Sequence, residues 1–312
     1  YASSWLKCHY PAVFACALLN SQPMGFYAPA QIVRDLREHN VEVRPVDINN
    51  SDWDCSLEPL PSEKLALRLG FRQVKGIKHK DMKELIFARE GGYGNITDLW
   101  RRTGLSKGVL ENLARADAFI SIGLDRRQAL WMVKGLDNAP LPLFRNLDNP
   151  FPEPDVILPQ VLLGEHVADD YRALAFSLRS HPLNVLRMVL TEQRYQSNAR
   201  LTWLPHGSRV RIAGLVTNRQ RPASAKGVLF VTMEDETGMA NVIVWPKIFE
   251  IFRRPLLRSA LIGVTGKIQK EGEVIHVISE RIEDLTPLLA TIENNGKLDD
   301  VASMRLRSRN FH

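Results

Sequence analysis

Arg219, Arg221 and Lys226 stand in a ten-residue stretch, NRQRPASAKG, that contains no acidic residue. Cations without a local carboxylate pair with an anion from outside, and phosphate oxygens take guanidinium and ammonium hydrogen bonds well. Phe230 and Trp245 follow in strand-like runs, and their flat faces can stack on other rings. Alternate strand positions must fill a core, however, and each aromatic reads more readily as core than as platform. A second group gathers at two glycine turns, Lys75-Gly76-Ile77 and Gly104-Leu105-Ser106, each leading into a helical pattern, with Lys78, Lys80 and Lys107 just beyond. Glycine lets the chain turn sharply and brings backbone N–H groups to the surface at a helix start. With the helix dipole and neighbouring lysines, such a turn makes a phosphate site without base specificity.

Other reactive types are placed less tellingly. Asp52 and Asp54 are close enough to share a divalent cation, but a polar turn before Pro59 and Pro61, with no phosphate cradle beside it, reads better as a surface turn. Cys8, Cys16 and Cys55 lack CxxC spacing, although His9 and His39 lie near enough for zinc to be an alternative. An odd number of cysteines suits a reduced, cytoplasmic setting better than a secreted one. His166 and His181 have no metal-ligand spacing and read as structural. There is no Walker loop, no GxGxxG after a strand, no HExxH and no GxSxG. Apart from the Asp52/Asp54 pair, no carboxylate constellation suits two-metal chemistry.

The elements that must hold these residues can be read from periodicity. Residues 1–20 read as two helices broken at Pro11, residues 29–38 as a helix with Ile32, Val33 and Leu36 on one face, and residues 41–48 as a short strand. Residues 65–90 read as strand, turn and helix, with Met82, Leu85 and Ile86 on the apolar face. Residues 96–118 read as two helices about Gly104, and the pair of turns follows helix-hairpin-helix logic. Six prolines between 137 and 160 mark a linker. Residues 164–187 read as a helix ending near His181-Pro182. Five strands follow, at 210–217, 228–234, 239–245, 261–268 and 274–279, with a helix at 246–254 after the third. Gly214 falls where a small barrel must bend. Five short strands, a helix after the third and a long first loop describe an oligonucleotide-binding (OB) barrel.

The charge is distributed to match. The net charge is +6, yet residues 1–61 hold four Lys+Arg against seven Asp+Glu, while residues 62–135 hold fifteen against eight. Residues 136–206 hold six against eight and residues 207–286 twelve against nine, so positive charge collects in the hairpin and barrel segments. Clustered basic charge favours a polyanion, because neutralising phosphates releases counterions. Hydrophobic residues make up 45% of the chain, yet no apolar run is long enough to span a bilayer, and no secretory signal opens it. The first residue is Tyr1 in a mid-helix pattern, so a longer parent is expected.

At this point several blocks together resemble one family. YASSWLKCHYPAVFACALLNSQP, LALRLGFRQVKGI, GGYGNITDLWRRTGL, LDRRQALWMVKGL, RQRPASAKGVLFVTMEDETGMANVIVWP and KEGEVIHVISERIEDL are similar to the C-terminal portion of the bacterial error-prone C-family DNA polymerases, mutagenic relatives of the replicative polymerase III α subunit. The ending MRLRSRNFH resembles that family's C-terminus. The resemblance implies a multidomain α + β chain: a helical remnant of the fingers at 1–61, a tandem helix-hairpin-helix domain at 62–135, a proline-rich linker and helical connector at 136–206, a five-stranded OB-fold domain at 207–286 and a tail at 287–312. It places the catalytic palm upstream and carries no catalytic residue or metal site onto this chain; magnesium is expected for the parent polymerase.

The same resemblance implies single-stranded template and primer–template duplex as ligands, and a RecA-like protein and an inactive Y-family-like polymerase as mutasome partners. It implies recruitment to the sliding clamp and a cytoplasmic setting without membrane contact. Arg219, Arg221, Lys226, Phe230, Trp245, Lys75, Gly76, Ile77, Lys78, Lys80 and Lys107 are the expected DNA contacts, read from the residues themselves. The alternatives are a free-standing DNA-binding adaptor built from the same two modules, and a barrel used for protein docking.

Overall fold

A computed structural model describes residues 1–23, 28–61, 64–136 and 158–292, and the backbone of 309–311. Most of the expected proline-rich linker and most of the tail lie outside the described residues. The chain divides into two compact units, residues 1–161 with 172–178, and residues 162–171 with 179–312.

The first unit is mainly helical. Helices α1 (Ala2–His9) and α2 (Pro11–Asn20) are separated at Tyr10, and Pro11 opens the second at a position where its missing N–H costs nothing. Helix α3 (Pro29–Glu38) buries Ile32, Val33 and Leu36. Strands β1 (Val43–Arg44), β2 (Ser56–Pro59) and β3 (Leu65–Arg68) form a small sheet in which β3 is central, parallel to β1 and antiparallel to β2. The strand expected over 41–48 shrinks to two residues because Pro45 has no N–H to extend the ladder.

Helices α4 (His79–Phe87), α5 (Ile96–Thr103), α6 (Lys107–Arg115) and α7 (Arg126–Gly135) follow. Leu67, Phe71, Met82, Leu85, Leu99, Leu113 and Phe119 form part of one continuous core with α2 and α3. Gly70 is required at the crossing with the Trp53–Asp54 turn, where a Cβ would stand 2.4 Å from a backbone carbon.

Residues 164–187 are not one helix. They give α8 (Leu163–Ala173) and α9 (Pro182–Glu192), with Ala175 between them at a left-handed φ of 71°. Pro182, expected near a helix end, instead starts α9, and the His181 ring accepts the Leu183 N–H as its cap.

The strands are β4 (Arg209–Gln220), β5 (Leu229–Asp235), β6 (Gly238–Val244), β7 (Leu261–Glu271), β8 (Val274–Asp284) and β9 (Arg309–Phe311). Between β6 and β7 lie α10 (Pro246–Ile251) and α11 (Arg253–Arg258), which split the single helix expected there, and α12 (Thr286–Thr291) follows β8. Strands β4, β5, β6, β8 and β7 close in that order, with only the β6–β8 pair parallel. This is a closed five-stranded OB barrel.

Closure rests on β4, whose first half pairs with β7 and second half with β5 across a bulge between Val216 and Asn218. At Gly214 a Cβ would lie 2.9 Å from the Glu234 carbonyl oxygen, so only glycine allows that approach. Beyond the point where β7 departs, Asn218–Gln220 pair on that edge with β9. Val210, Ile212, Val231, Met233, Val242, Val264 and Val277 fill the barrel. Leu183, Leu186 and Leu190 of α9 and Leu289 of α12 cover its outer wall at Ala213, Leu215 and Leu261. Tyr195 joins them and donates its hydroxyl to Glu283 at 2.7 Å, beneath the Arg211 guanidinium 4.2 Å from its ring centre.

A second bulge falls between Thr265 and Gly266, where a Cβ would stand 2.1 Å from the Ile278 carbonyl oxygen. Backbone on both sides leaves nothing flexible to move aside. Gly266→Ala should therefore destabilise the barrel unit by about 2–3 kcal/mol, read as a lower urea midpoint with an unchanged m-value.

Candidate nucleic-acid interface

On the barrel, the expected contacts separate. Arg219 is 3% exposed. It points inward from β4 and donates to the Leu256 and Ser259 carbonyls, each at 2.5 Å, at the end of α11. Burial alone lowers its pKa. Arg219 is thus a structural tie between the base of the first loop and α11, not a phosphate contact, because the register shift between Val216 and Asn218 turns it inward.

Arg221 is exposed beyond the strand. It lies over the Phe249 ring, 4.7 Å from the centroid, and its Nε donates to the Gly227 carbonyl at 3.3 Å. Lys226 is exposed and left-handed, with φ 48°, at the end of the short 3-10 turn Ala223–Ala225. The loop therefore presents two cations on a folded turn.

Phe230 and Trp245 both lie outside the barrel core. Trp245 is 53% exposed at the N-cap of α10. Phe230 is half-buried and alternates with the core residues Leu229 and Val231, so it belongs to the outer face. Strand register continues that face into two adjacent rows. One runs Gln220, Phe230, Ile243, Ile278, Lys267; the other runs Asn218, Thr232, Asn241, His276, Gln269. Only Phe230 in these rows was singled out from sequence. The others are legible as every second residue of a strand once the pairing is known.

In the hairpin unit, glycine turns occur three times in one pattern. Gly76, Gly104 and Gly123 all have left-handed φ, of 77°, 64° and 76°. Each is followed by a core-packing residue (Ile77, Leu105, Leu124) and then by a helix N-cap, Lys78, Ser106 or Asp125. The third turn escaped the sequence reading because a 3-10 turn, Ile120–Ile122, precedes it where a full helix was the sought signal. The first turn likewise has only the 3-10 turn Phe71–Gln73 ahead of it. Asn112 of α6 donates to the Gly76 carbonyl at 3.3 Å and holds that turn against the second motif.

The three helix starts differ electrically. Asp125 caps α7 with a reciprocal box to Gln128, so a carboxylate already occupies that N-terminus. Neither Lys78 nor Ser106 makes a side-chain cap bond, which leaves the first N–H groups of α4 and α6 without one; α4 carries Asp81 in its first turn and α6 carries no acidic residue there. Lys75, Lys78 and Lys80 are exposed around the first, and Lys107 is half-exposed at the second.

Much of the local arginine surplus is structural. Arg68 grips Glu58 and the Pro45 carbonyl, and Arg72 bridges Asp54 at 2.6 Å to the Asn20 and Gln22 carbonyls. Arg89 meets the Ser51 carbonyl and Asp52, while Arg102 holds the Ala88, Glu90 and Gly92 carbonyls and covers Tyr93. Asp52 and Asp54 therefore each face an arginine, and among the described residues no group of three or more His, Cys, Asp and Glu converges. The pair does not fit a magnesium site. Cys16 and Cys55 are buried free thiols, and burial, more than the neighbouring Cys55 and Asp54, pushes Cys16 up to about 11. Among the described residues no helix is long and apolar enough to cross a membrane.

These two sites coincide with two family matches. Residues 40–129 match a helix-hairpin-helix motif and residues 210–285 match an OB-fold nucleic acid binding domain. The chain is 52% identical over 94% of its length to an error-prone DNA polymerase of Ruegeria pomeroyi, covering 26% of that protein. It is 48% identical over 95% of its length to error-prone DNA polymerase 1 of Rhizobium meliloti, covering 29%. An error-prone DNA polymerase of Brucella abortus is 49% identical over 95% of this chain, covering 28% of that relative.

The chain belongs to the error-prone DNA polymerase family, as its C-terminal part.

It spans 26–29% of the length of these error-prone polymerases. The shared part therefore contributes nucleic-acid-binding modules to the family.

The division between Arg219 and Arg221 is directly measurable. Arg219→Met should lower unfolding stability by about 2–4 kcal/mol, since buried carbonyls lose their donor, while the folded protein keeps its salt-dependent binding of single strands. Arg221→Ala should leave the urea midpoint within about 0.5 kcal/mol and weaken single-strand binding. The opposite assignment of losses would return Arg219 to the interface.

Proposed function

We propose that this chain is the DNA-gripping part of an error-prone DNA-directed DNA polymerase. In this reading the hairpin unit holds primer–template duplex, and the barrel holds the single-stranded template. The observation that carries the proposal is the pair of uncapped helix starts beside lysines, together with an outer barrel face flanked by Arg221 and Lys226. Backbone N–H groups and lysines at α4 and α6 suit phosphates of a duplex without reading sequence. An aromatic and aliphatic strand face beside a cationic loop suits unpaired bases and their backbone.

Family membership supports the wider role. The parent carries out template-directed nucleotidyl transfer with magnesium at catalytic residues outside this chain, without proofreading, in damage-induced translesion synthesis and repair in the cytoplasm. A RecA-like protein, an inactive Y-family-like polymerase and the sliding clamp are its proposed partners. This chain alone binds DNA and does not extend a primer.

Fluorescence-anisotropy titrations over a salt series test the division. Arg221→Ala/Lys226→Ala should flatten the single-strand log–log salt slope by about 1.4 units and spare duplex binding. Lys78→Ala/Lys80→Ala/Lys107→Ala should flatten the duplex slope by about 2.7 units. Unchanged slopes in both variants, or primer extension by this chain alone, would refute the reading.

A further inference from the structure

The outer face of the barrel carries two polar atoms that the fold itself leaves unanswered. Asn218 Oδ1 and His276 Nδ1 are both shielded from solvent and have no hydrogen-bond partner. They stand in one cross-strand row, Asn218–Thr232–Asn241–His276, which runs over β4, β5, β6 and β8. Between them, Thr232 Oγ1 donates to Asn241 Oδ1 at 3.1 Å, and beyond His276 the Gln269 amide donates to Glu271, so the shielded atoms left without a partner in this row belong to Asn218 and His276. Shielded polar atoms are nearly always paired, because a missing partner costs about 1–3 kcal/mol. Two such atoms in one row of a ligand-binding face call for a ligand that supplies the partners.

The chemistry of the pair states what the ligand must offer. Asn218 Oδ1 is an acceptor in the amide orientation of the structure. His276 Nδ1 is an acceptor in the tautomer that keeps its proton on Nε2, and that tautomer avoids shielding an N–H without an acceptor. Asn218 Oδ1 and His276 Nδ1 thus each lack a donor. The adjacent row offers Phe230, Ile243 and Ile278 as a half-exposed apolar strip. A base with its face on that strip turns one edge towards Asn218–His276. Neighbouring strands lie about 4.8 Å apart, so Asn218 and His276, three strand spacings from each other, serve different nucleotides.

We propose that this row reads base edges, and that it favours bases presenting an exocyclic amino group there, cytosine N4 or adenine N6, over thymine. Thymine brings its O4 oxygen to the same place and sets acceptor against acceptor. The proposal rests on the barrel being the single-strand grip and adds base preference to that site. The phosphate contacts of Arg221 and Lys226 contribute no such preference.

The test uses the 312-residue chain and two single strands of equal length, one of 5-methyl-deoxycytidine and one of thymidine. Their bases share the methyl group and ring, and differ in the amino or carbonyl group at C4 and in the N3 proton. The methylcytosine strand should bind at least about fivefold more tightly. Asn218→Ala/His276→Ala should bring it down to the thymine level without changing the salt slope. His276→Phe keeps an aromatic ring on the same face and should reduce the preference too, which covers instability of the double variant. Phe230→Ala should weaken both strands alike. Equal binding of the two strands by the unmodified chain, or a preference that survives in a folded Asn218→Ala/His276→Ala variant, overturns the proposal while leaving the single-strand grip intact. No single-strand binding by the unmodified chain overturns both.

Discussion

Closure of the barrel by β4 is the constraint on which the second unit depends. One strand must serve β7 with its first half and β5 with its second, and it does so by bending at Gly214 and slipping register at the Val216/Asn218 bulge. The slip decides which residues beyond it face out. Asn218 and Gln220 join the outer rows, while Arg219 turns inward to the Leu256 and Ser259 carbonyls. Closure also leaves an edge that β9 takes up at Asn218–Gln220. The outer face is therefore a consequence of how the barrel closes, and the loop that carries Arg221 and Lys226 leaves it from a fixed base.

Arginine and lysine divide their labour by geometry. The planar guanidinium forks of Arg68, Arg72, Arg89 and Arg102 each bind carbonyls and a carboxylate as well, and so hold turns and strand ends in place. Lys78 and Lys80 keep compact ammonium groups on the surface beside the first glycine turn. A basic segment is thus two populations: cations inside the fold, which carry little field outward, and cations on its surface, which set the long-range attraction for a polyanion. The same division appears on the barrel between Arg219 and Arg221, two residues apart.

The three glycine turns show how a repeated backbone solution acquires different chemistry. Each uses a left-handed glycine, a core anchor and a helix start, so the local fold is the same. One residue at the N-cap then decides the electrostatics. Asp125 fills the third helix start with its own carboxylate, while Lys78 and Ser106 leave theirs without a side-chain cap. Whether a helix start carries its own side-chain cap is set by the N-cap residue, not by the turn.

Much was legible from sequence because local rules are strong there. Strand alternation, Pro11 and Pro29 at helix starts, the glycine turns at 76 and 104, and the helix after the third barrel strand are set by neighbours within a few residues, and the family blocks are contiguous. What only the tertiary structure decided involves partners far along the chain. The inward turn of Arg219 depends on the register shift of β4 against β5 and on the carbonyls at the end of α11, some forty residues later. The outer rows exist only once β4, β5, β6 and β8 are in register. Sequence states which residues alternate. Register, which is set by closure and core packing across the whole barrel, states which of them meet.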